Sequence, residues 1–317
     1  RVRGDHQPAR TGDRAARLWS TTTGAHVDLP GGADGIEFAK LSPDDTLIVT
    51  WSRGERTGLL WDARTGRRFF GDELTGHGGV PKLEFAPKGS RLVTWQSGEG
   101  TFRLWNTKTR KLVRKSSIDR SIGHVSFSAD GRRILTWSSP ARLWDGRTGQ
   151  PVGGELGHSS SGVWEARFNP QGDLLATLTT EQAGIAAPGN EPPPSRGPSS
   201  SPGALPTSHP PVPVRPPQMV RLIQLWDAET ARPRGELRWT GPSHGSYRIG
   251  IPGTTEYVAF RNDRARLLAW VPGDEAAILW QLGSQDRVEL RAKQGAIAGA
   301  KFSPDGSRIV TWTTGTE

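Results

Sequence analysis

Eleven of the thirteen tryptophans stand at two recurring places, and this regularity restricts the fold more than any other feature. The first place follows a leucine: Leu18-Trp19, Leu60-Trp61, Leu104-Trp105, Leu143-Trp144, Leu225-Trp226 and Leu279-Trp280. The second place comes earlier in each unit, as Thr50-Trp51, Thr94-Trp95, Thr136-Trp137, Ala269-Trp270 and Thr311-Trp312. A third element opens the unit: Leu41-Ser42-Pro43-Asp44, Phe85-Ala86-Pro87, Phe127-Ser128-Ala129-Asp130-Gly131, Phe168-Asn169-Pro170 and Phe302-Ser303-Pro304-Asp305-Gly306. Trp19 to Trp61 is 42 residues, Trp61 to Trp105 is 44 and Trp105 to Trp144 is 39. A period of that size means one supersecondary unit, copied and stacked.

The stretch from Gly76 to Asn106 shows what the unit is. It holds three apolar runs, Val80 to Phe85, Arg91 to Trp95 and Thr101 to Trp105, separated by Gly, Pro and polar residues. Such punctuation joins strands by tight turns. The runs are too short for helices and favour Val, Leu, Phe and Trp, which suit a pleated, half-buried surface. The sequence therefore predicts an all-β chain.

In order and spacing these residues resemble the WD-repeat β-propeller family, over nearly the whole chain except residues 1–13 and 181–219. The resemblance implies four-stranded antiparallel blades around a channel. In that scheme the Phe-Ser-Pro-Asp-Gly element ends strand a, Thr-Trp lies on strand b, Leu-Trp-Asp closes strand c, and strand d follows, as in Arg68 to Asp72 or Lys111 to Lys115. The chain enters at a strand c (Ala15 to Trp19) and a strand d (Ala25 to Leu29). It leaves after a strand a (Ala298 to Phe302) and a strand b (Arg308 to Trp312). Joining these halves predicts six blades, the last closed by the N-terminal strands, which removes open sheet edges. A fragment of a longer array is the rival expectation. The chain starts at Arg1, as a piece cut from a longer protein would.

Residues 181–219 interrupt blade four. They hold twelve of the 25 prolines with Gly and Ser and no apolar periodicity, a composition that cannot order itself by burial. The expectation is a disordered loop between strand b (Leu174 to Thr180) and strand c (Arg221 to Trp226). Within it, Pro210-Pro211-Val212-Pro213-Val214-Arg215 fits a polyproline ligand, with Pro210, Pro213 and Arg215 as contact residues; the pattern is short, and a tolerated surface insertion is the favoured expectation.

The resemblance also implies a buried hydrogen-bonded set in each blade: a His before strand a, a Ser or Thr on strand b, an acid in the b–c turn and the Trp of strand c. Blade two offers His77, Thr94, Glu99 and Trp105; blade three His124, Thr136 and Trp144; blade four His158 and Trp226. Blade five offers His244, Asp274 and Trp280, and Asp13 stands before Trp19 as Glu99 does before Trp105. Blade one has Thr50, Glu55 and Trp61. A buried imidazole or indole needs partners, so this chemistry is structural. Sets that repeat with the blades are not a catalytic His–acid pair, and the expectation is no enzyme, no cofactor and no metal site.

Net charge is +9 and Cys is absent, so disulfides and thiolate metal sites are excluded. No apolar run reaches the roughly 20 residues that span a bilayer, and a cytoplasmic location is expected. The basic run at Arg103, Lys108, Arg110, Lys111, Arg114, Lys115 and Arg120 lacks interleaved aromatics for base stacking; on an outer strand it blocks edge pairing. The functional expectation is a non-catalytic scaffold that binds a protein or peptide through its loop face and channel mouth. The alternatives are polyanion or nucleic-acid binding, and a regulatory or sensor role in a larger kinase or nucleotide-triphosphatase.

Overall fold

A computed structural model describes residues 15–31, 35–52, 57–69, 74, 82–138, 140–157, 162–182, 218–242, 257–263, 265–284 and 286–314. These residues form strands, turns and bends and contain no helix, so no helix is long and apolar enough to cross a membrane.

The strands come in consecutive antiparallel sheets, each hydrogen-bonded in chain order. β1 (Ala15–Trp19) and β2 (His26–Pro30) form a pair, and β3 (Phe38–Leu41), β4 (Leu47–Ser52) and β5 (Thr57–Asp62) form a sheet of three. Four sheets of four follow. They are β6 (Lys82–Phe85), β7 (Arg91–Trp95), β8 (Thr101–Asn106) and β9 (Lys111–Ser117); then β10 (Ile122–Phe127), β11 (Arg133–Ser138), β12 (Ala141–Asp145) and β13 (Pro151–Leu156). The third comprises β14 (Glu165–Phe168), β15 (Leu174–Gln182), β16 (Gln218–Asp227) and β17 (Pro233–Pro242); the fourth β18 (Val258–Phe260), β19 (Arg266–Ala269), β20 (Ala276–Gln281) and β21 (Arg287–Arg291). β22 (Ala296–Phe302) and β23 (Ile309–Thr314) form a last pair.

Successive sheets pack face to face. Val49, Trp51 and Leu60 of the three-stranded sheet share a core with Leu83, Phe85, Leu92 and Trp105 of the next. Val93, Trp95, Phe102 and Leu104, on the opposite face of that sheet, share a core with Ile122, Val125, Ile134 and Trp144. Both faces of β7 are therefore buried. That explains why Leu92-Val93-Thr94-Trp95 is a continuous apolar run rather than an alternating one. The first strands of neighbouring sheets touch, β6 against β10 and β14 against β18. The last strands lie outermost in each ladder, and β9, with its basic residues, is an edge strand with most side chains exposed.

The turns account for the polar half of each motif. In four sheets the residue after the third-strand Trp caps the next turn: Asp62 Oδ1 accepts from the backbone N–H groups of Arg64 (3.0 Å) and Thr65 (2.7 Å) and from the Thr65 hydroxyl (2.7 Å). Asp145 and Asp227 do the same, and Asn106 accepts two backbone bonds. These bonds hold the carboxyls of Asp62 and Asp227 below the ordinary range, the Thr65 hydroxyl first at Asp62 and the Arg234 guanidinium first at Asp227. Five residues after the Trp, the backbone turns left-handed. Gly66 and Gly149 fill that place in two sheets, but Arg110 and Ala231 fill it in two others, each at φ 57°.

Strand d of blade one, expected over Arg68 to Asp72, lies mostly outside the described residues; among those described, Arg68 bridges Trp61 and Leu74 bridges Gly58. One expectation needs correction. The strands flanking the proline-rich insertion run further than expected, since the ladder continues to Glu181↔Val220 and Gln182↔Met219. β16 begins directly after Pro216 and Pro217, which have no N–H for a ladder. β1 and β23 belong to separate two-stranded sheets, with no ladder between them among the described residues. Each pair already buries one face on its neighbour, Leu29 and Leu18 against Ile48, Leu59 and Trp61, and Ile297 and Ala300 against Leu268 and Trp270. Their outer residues face solvent: Trp19 is 56% exposed, Val310 58% and Trp312 40%.

Candidate functional site: an aromatic pocket at the sheet edge

The residues expected to form hydrogen-bonded sets divide sharply. Trp105 Nε1 donates to Thr94 Oγ1 at 3.0 Å and Trp144 Nε1 to Thr136 Oγ1 at 3.0 Å. Trp61 does the same to Thr50 (2.8 Å) and Trp226 to Thr177 (2.9 Å). Thr177 escaped notice because Leu178, not Trp, follows it; its register opposite Gln224, two before Trp226, was the available signal. Glu99 interacts electrostatically with Arg103. Asp274 is 3% exposed, pairs with the fully buried Arg221 at 3.0 Å and accepts from Trp239 Nε1 at 3.3 Å, both on the preceding sheet. A Cβ on Gly241 would come 2.6 Å from Asp274 Oδ1, so this glycine makes room for the carboxylate. Trp280 is left with a buried indole N–H lacking a hydrogen-bond partner among the described residues, because Ala269 stands where the other sheets carry Thr. Trp19 stacks on His26 at 4.5 Å. Asp13, Glu55, His77, His158, Pro210, Pro213, Arg215, His244 and Glu317 lie outside the described residues.

His124 also departs from expectation. It lies on β10 opposite Trp137, not Thr136, and strand alternation sends it away from the Thr136–Trp144 bond. Its ring stacks on Trp137 at 5.1 Å between centroids and 14° between planes, with its other side in solvent. Burial of the stacked face, then the Lys82 ammonium, holds its pKa below the usual histidine range.

That stack is one wall of a cavity of about 300 Å³, lined by His124, Trp137, Val163, Trp164 and Tyr257 with Gly123 and Ser138. Three sheets contribute. His124 is at the start of β10 and Trp137 near the end of β11; Trp164 immediately precedes β14 and Tyr257 immediately precedes β18. First and second strands are antiparallel, so starts of first strands and ends of second strands share one edge of the stack. Repetition of the sheets thus gathers aromatic residues more than 130 positions apart in the chain.

Glu165 fixes the wall. Its carboxylate is 3% exposed and accepts from Tyr257 N, from Val258 N at 3.0 Å and from Arg167 Nε at 3.0 Å, tying the third sheet to the fourth. Desolvation outweighs those bonds and pushes its pKa up to about 7. Burial, then the Glu165 charge, raises the Tyr257 phenol. At the rim, Lys82 Nζ and Trp95 Nε1 both donate to Gly123 O, at 3.4 and 3.3 Å.

A second cavity, of about 310 Å³, lies over Asp274 and is lined by Trp239, Glu275, Arg287, Glu289 and Arg291. Its charges are matched with one another: Arg291 pairs with Glu275 and Glu289, and Arg287 with Glu289. The aromatic pocket instead presents half-buried rings, the lining expected of a small apolar binding site. Among the described residues no three His, Asp or Glu side chains gather as metal ligands. No protein-family model matches this chain, and no curated protein does.

Proposed function

We propose that the chain is a WD-repeat propeller acting as a non-catalytic interaction module, which binds an extended protein segment at the aromatic pocket. The supporting observation is the pocket itself, where His124, Trp137, Trp164 and Tyr257 from three sheets surround one cavity. Rings held on paired strands cost little entropy to present and offer large apolar contact. The four repeated Thr–Trp bonds support the family reading of the scaffold. The same rule gives the register that a closed ring would need: in each bonded sheet the Thr lies opposite the residue two before the Trp. Thr311 and Trp19 complete a fifth bond if β23 pairs β1 with Thr311 opposite Arg17. The two terminal pairs are then halves of one blade, the sixth. A disulfide between Arg17→Cys and Thr311→Cys tests the register; its failure to form under oxidation counts against a ring.

Polyanion binding rests on net charge alone, and arginines such as Arg17, Arg133, Arg142, Arg234 and Arg261 are paired with carboxylates. The binding reading is tested by screening a random peptide library against the intact chain and its His124→Ala and Trp164→Ala variants. Apolar or proline-containing peptides are expected at roughly micromolar Kd, lost in both variants. Binders unaffected by either substitution place the interaction elsewhere.

A further inference from the structure

We infer that the aromatic pocket takes the uncharged proline rings of a polyproline II strand, and that residues 206–217 of this same chain are one such occupant, with Pro210-Pro211-Val212-Pro213 in the pocket and Arg215 outside it. The inference rests on the pocket being a peptide site, and adds which peptide.

The pocket chemistry selects the class. Aromatic walls accept a cation or a proline ring. Here the ammonium of Lys82 sits at the rim, bonded to the pocket residue Gly123, and opposes a cationic guest. The carboxylate bonded behind the pocket wall, Glu165, is buried and already holds Arg167 and two backbone N–H groups. An uncharged ring is favoured, and a polyproline II strand offers one with little entropy left to lose.

Geometry supplies the occupant. β15 passes Trp164, whose N–H donates to Leu178 O at 2.9 Å, and ends at Gln182, still paired with Met219. The insertion therefore leaves and rejoins at the edge that carries the pocket. Four residues of strand put that stem about 13 Å beyond Leu178. Pro213 stands five residues before Gln218, a reach of about 15 Å for a polyproline II chain. Pro210-Pro211-Val212-Pro213 can thus return to the level of Trp164. A tether this short supplies an effective concentration near millimolar, enough for a weak intrinsic affinity to matter.

The test uses the intact chain and a synthetic peptide of residues 206–217 carrying a fluorophore, followed by anisotropy. One protein is wild type. The other carries Pro210→Ala, Pro211→Ala and Pro213→Ala in its own segment, with circular dichroism confirming an unchanged fold. The free peptide is expected to bind the variant at least tenfold more tightly than wild type, and His124→Ala added to the variant abolishes that binding. Equal affinity for both proteins overturns the intramolecular occupant and leaves the pocket as a peptide site. Binding to neither, while other peptides from the library do bind, shows that this segment is the wrong ligand. If no peptide of any kind binds, the reading of the pocket falls with it.

Discussion

In four consecutive sheets a threonine on the second strand accepts from an indole on the third; in the sheet β18–β21 it does not. The sequence difference is one residue, Ala269 in place of Thr. The structural difference is larger. The acid of that sheet, Asp274, turns to the preceding sheet and joins Arg221 and Trp239. Four sheets are therefore pinned internally, by a neutral bond between their own strands. The other is pinned externally, by a buried ion pair across the sheet interface. An orphaned indole N–H costs about 1–3 kcal/mol, which the cross-interface arrangement has to offset.

This contrast gives predictions of decreasing size. Asp274→Ala removes the carboxylate that pairs with the buried Arg221 guanidinium and is expected to cost about 3–5 kcal/mol in urea unfolding; a loss under about 1 kcal/mol means the ion pair does not hold the interface. Glu165 is the other buried acid between the same two sheets, and its effect is a pH dependence. Its folded pKa is raised from 4.5 to about 7, so the native state holds the proton more tightly than the unfolded chain. Stability from this group is full below pH 4.5 and is lost as pH rises to 7, by roughly 3 kcal/mol. Glu165→Gln should remove that slope; a wild-type profile parallel to the variant's contradicts it. Trp105→Phe leaves Thr94 without its donor, while Trp280→Phe removes an N–H that had no acceptor. The first is expected to cost about 1–2 kcal/mol more than the second, and equal losses in thermal melts would erase the distinction between the sheets. Smallest is Ala231→Gly, which should gain about 0.5–1 kcal/mol by relieving a left-handed residue where Gly66 and Gly149 stand elsewhere.

The strands and turns were legible because they rest on local chemistry. Arg91–Trp95 has the expected bounds, Lys82–Phe85 and Thr101–Asn106 nearly so. Three of the four bonded Thr–Trp pairs were legible. Thr50, Thr94 and Thr136 carry the Thr-Trp signature; Thr177 does not, yet its strand register places it identically. His124 misled because one residue of register sends a side chain to the other face.

The aromatic pocket was not legible at all. His124 and Trp137 held motif positions that pointed to other roles, a hydrogen-bonded set and a repeat anchor, and Trp164 and Tyr257 fit no motif. By itself the sequence determined the all-β composition, the repeat period and the chemistry of each turn, since strand pattern and turn capping act between residues a few positions apart. Tertiary structure alone decided which edges of the sheets coincide, which acid crosses an interface and which rings share a cavity. Those depend on how separate sheets stack, and stacking is governed by side-chain packing across hundreds of square ångströms of face, about which no local pattern carries information.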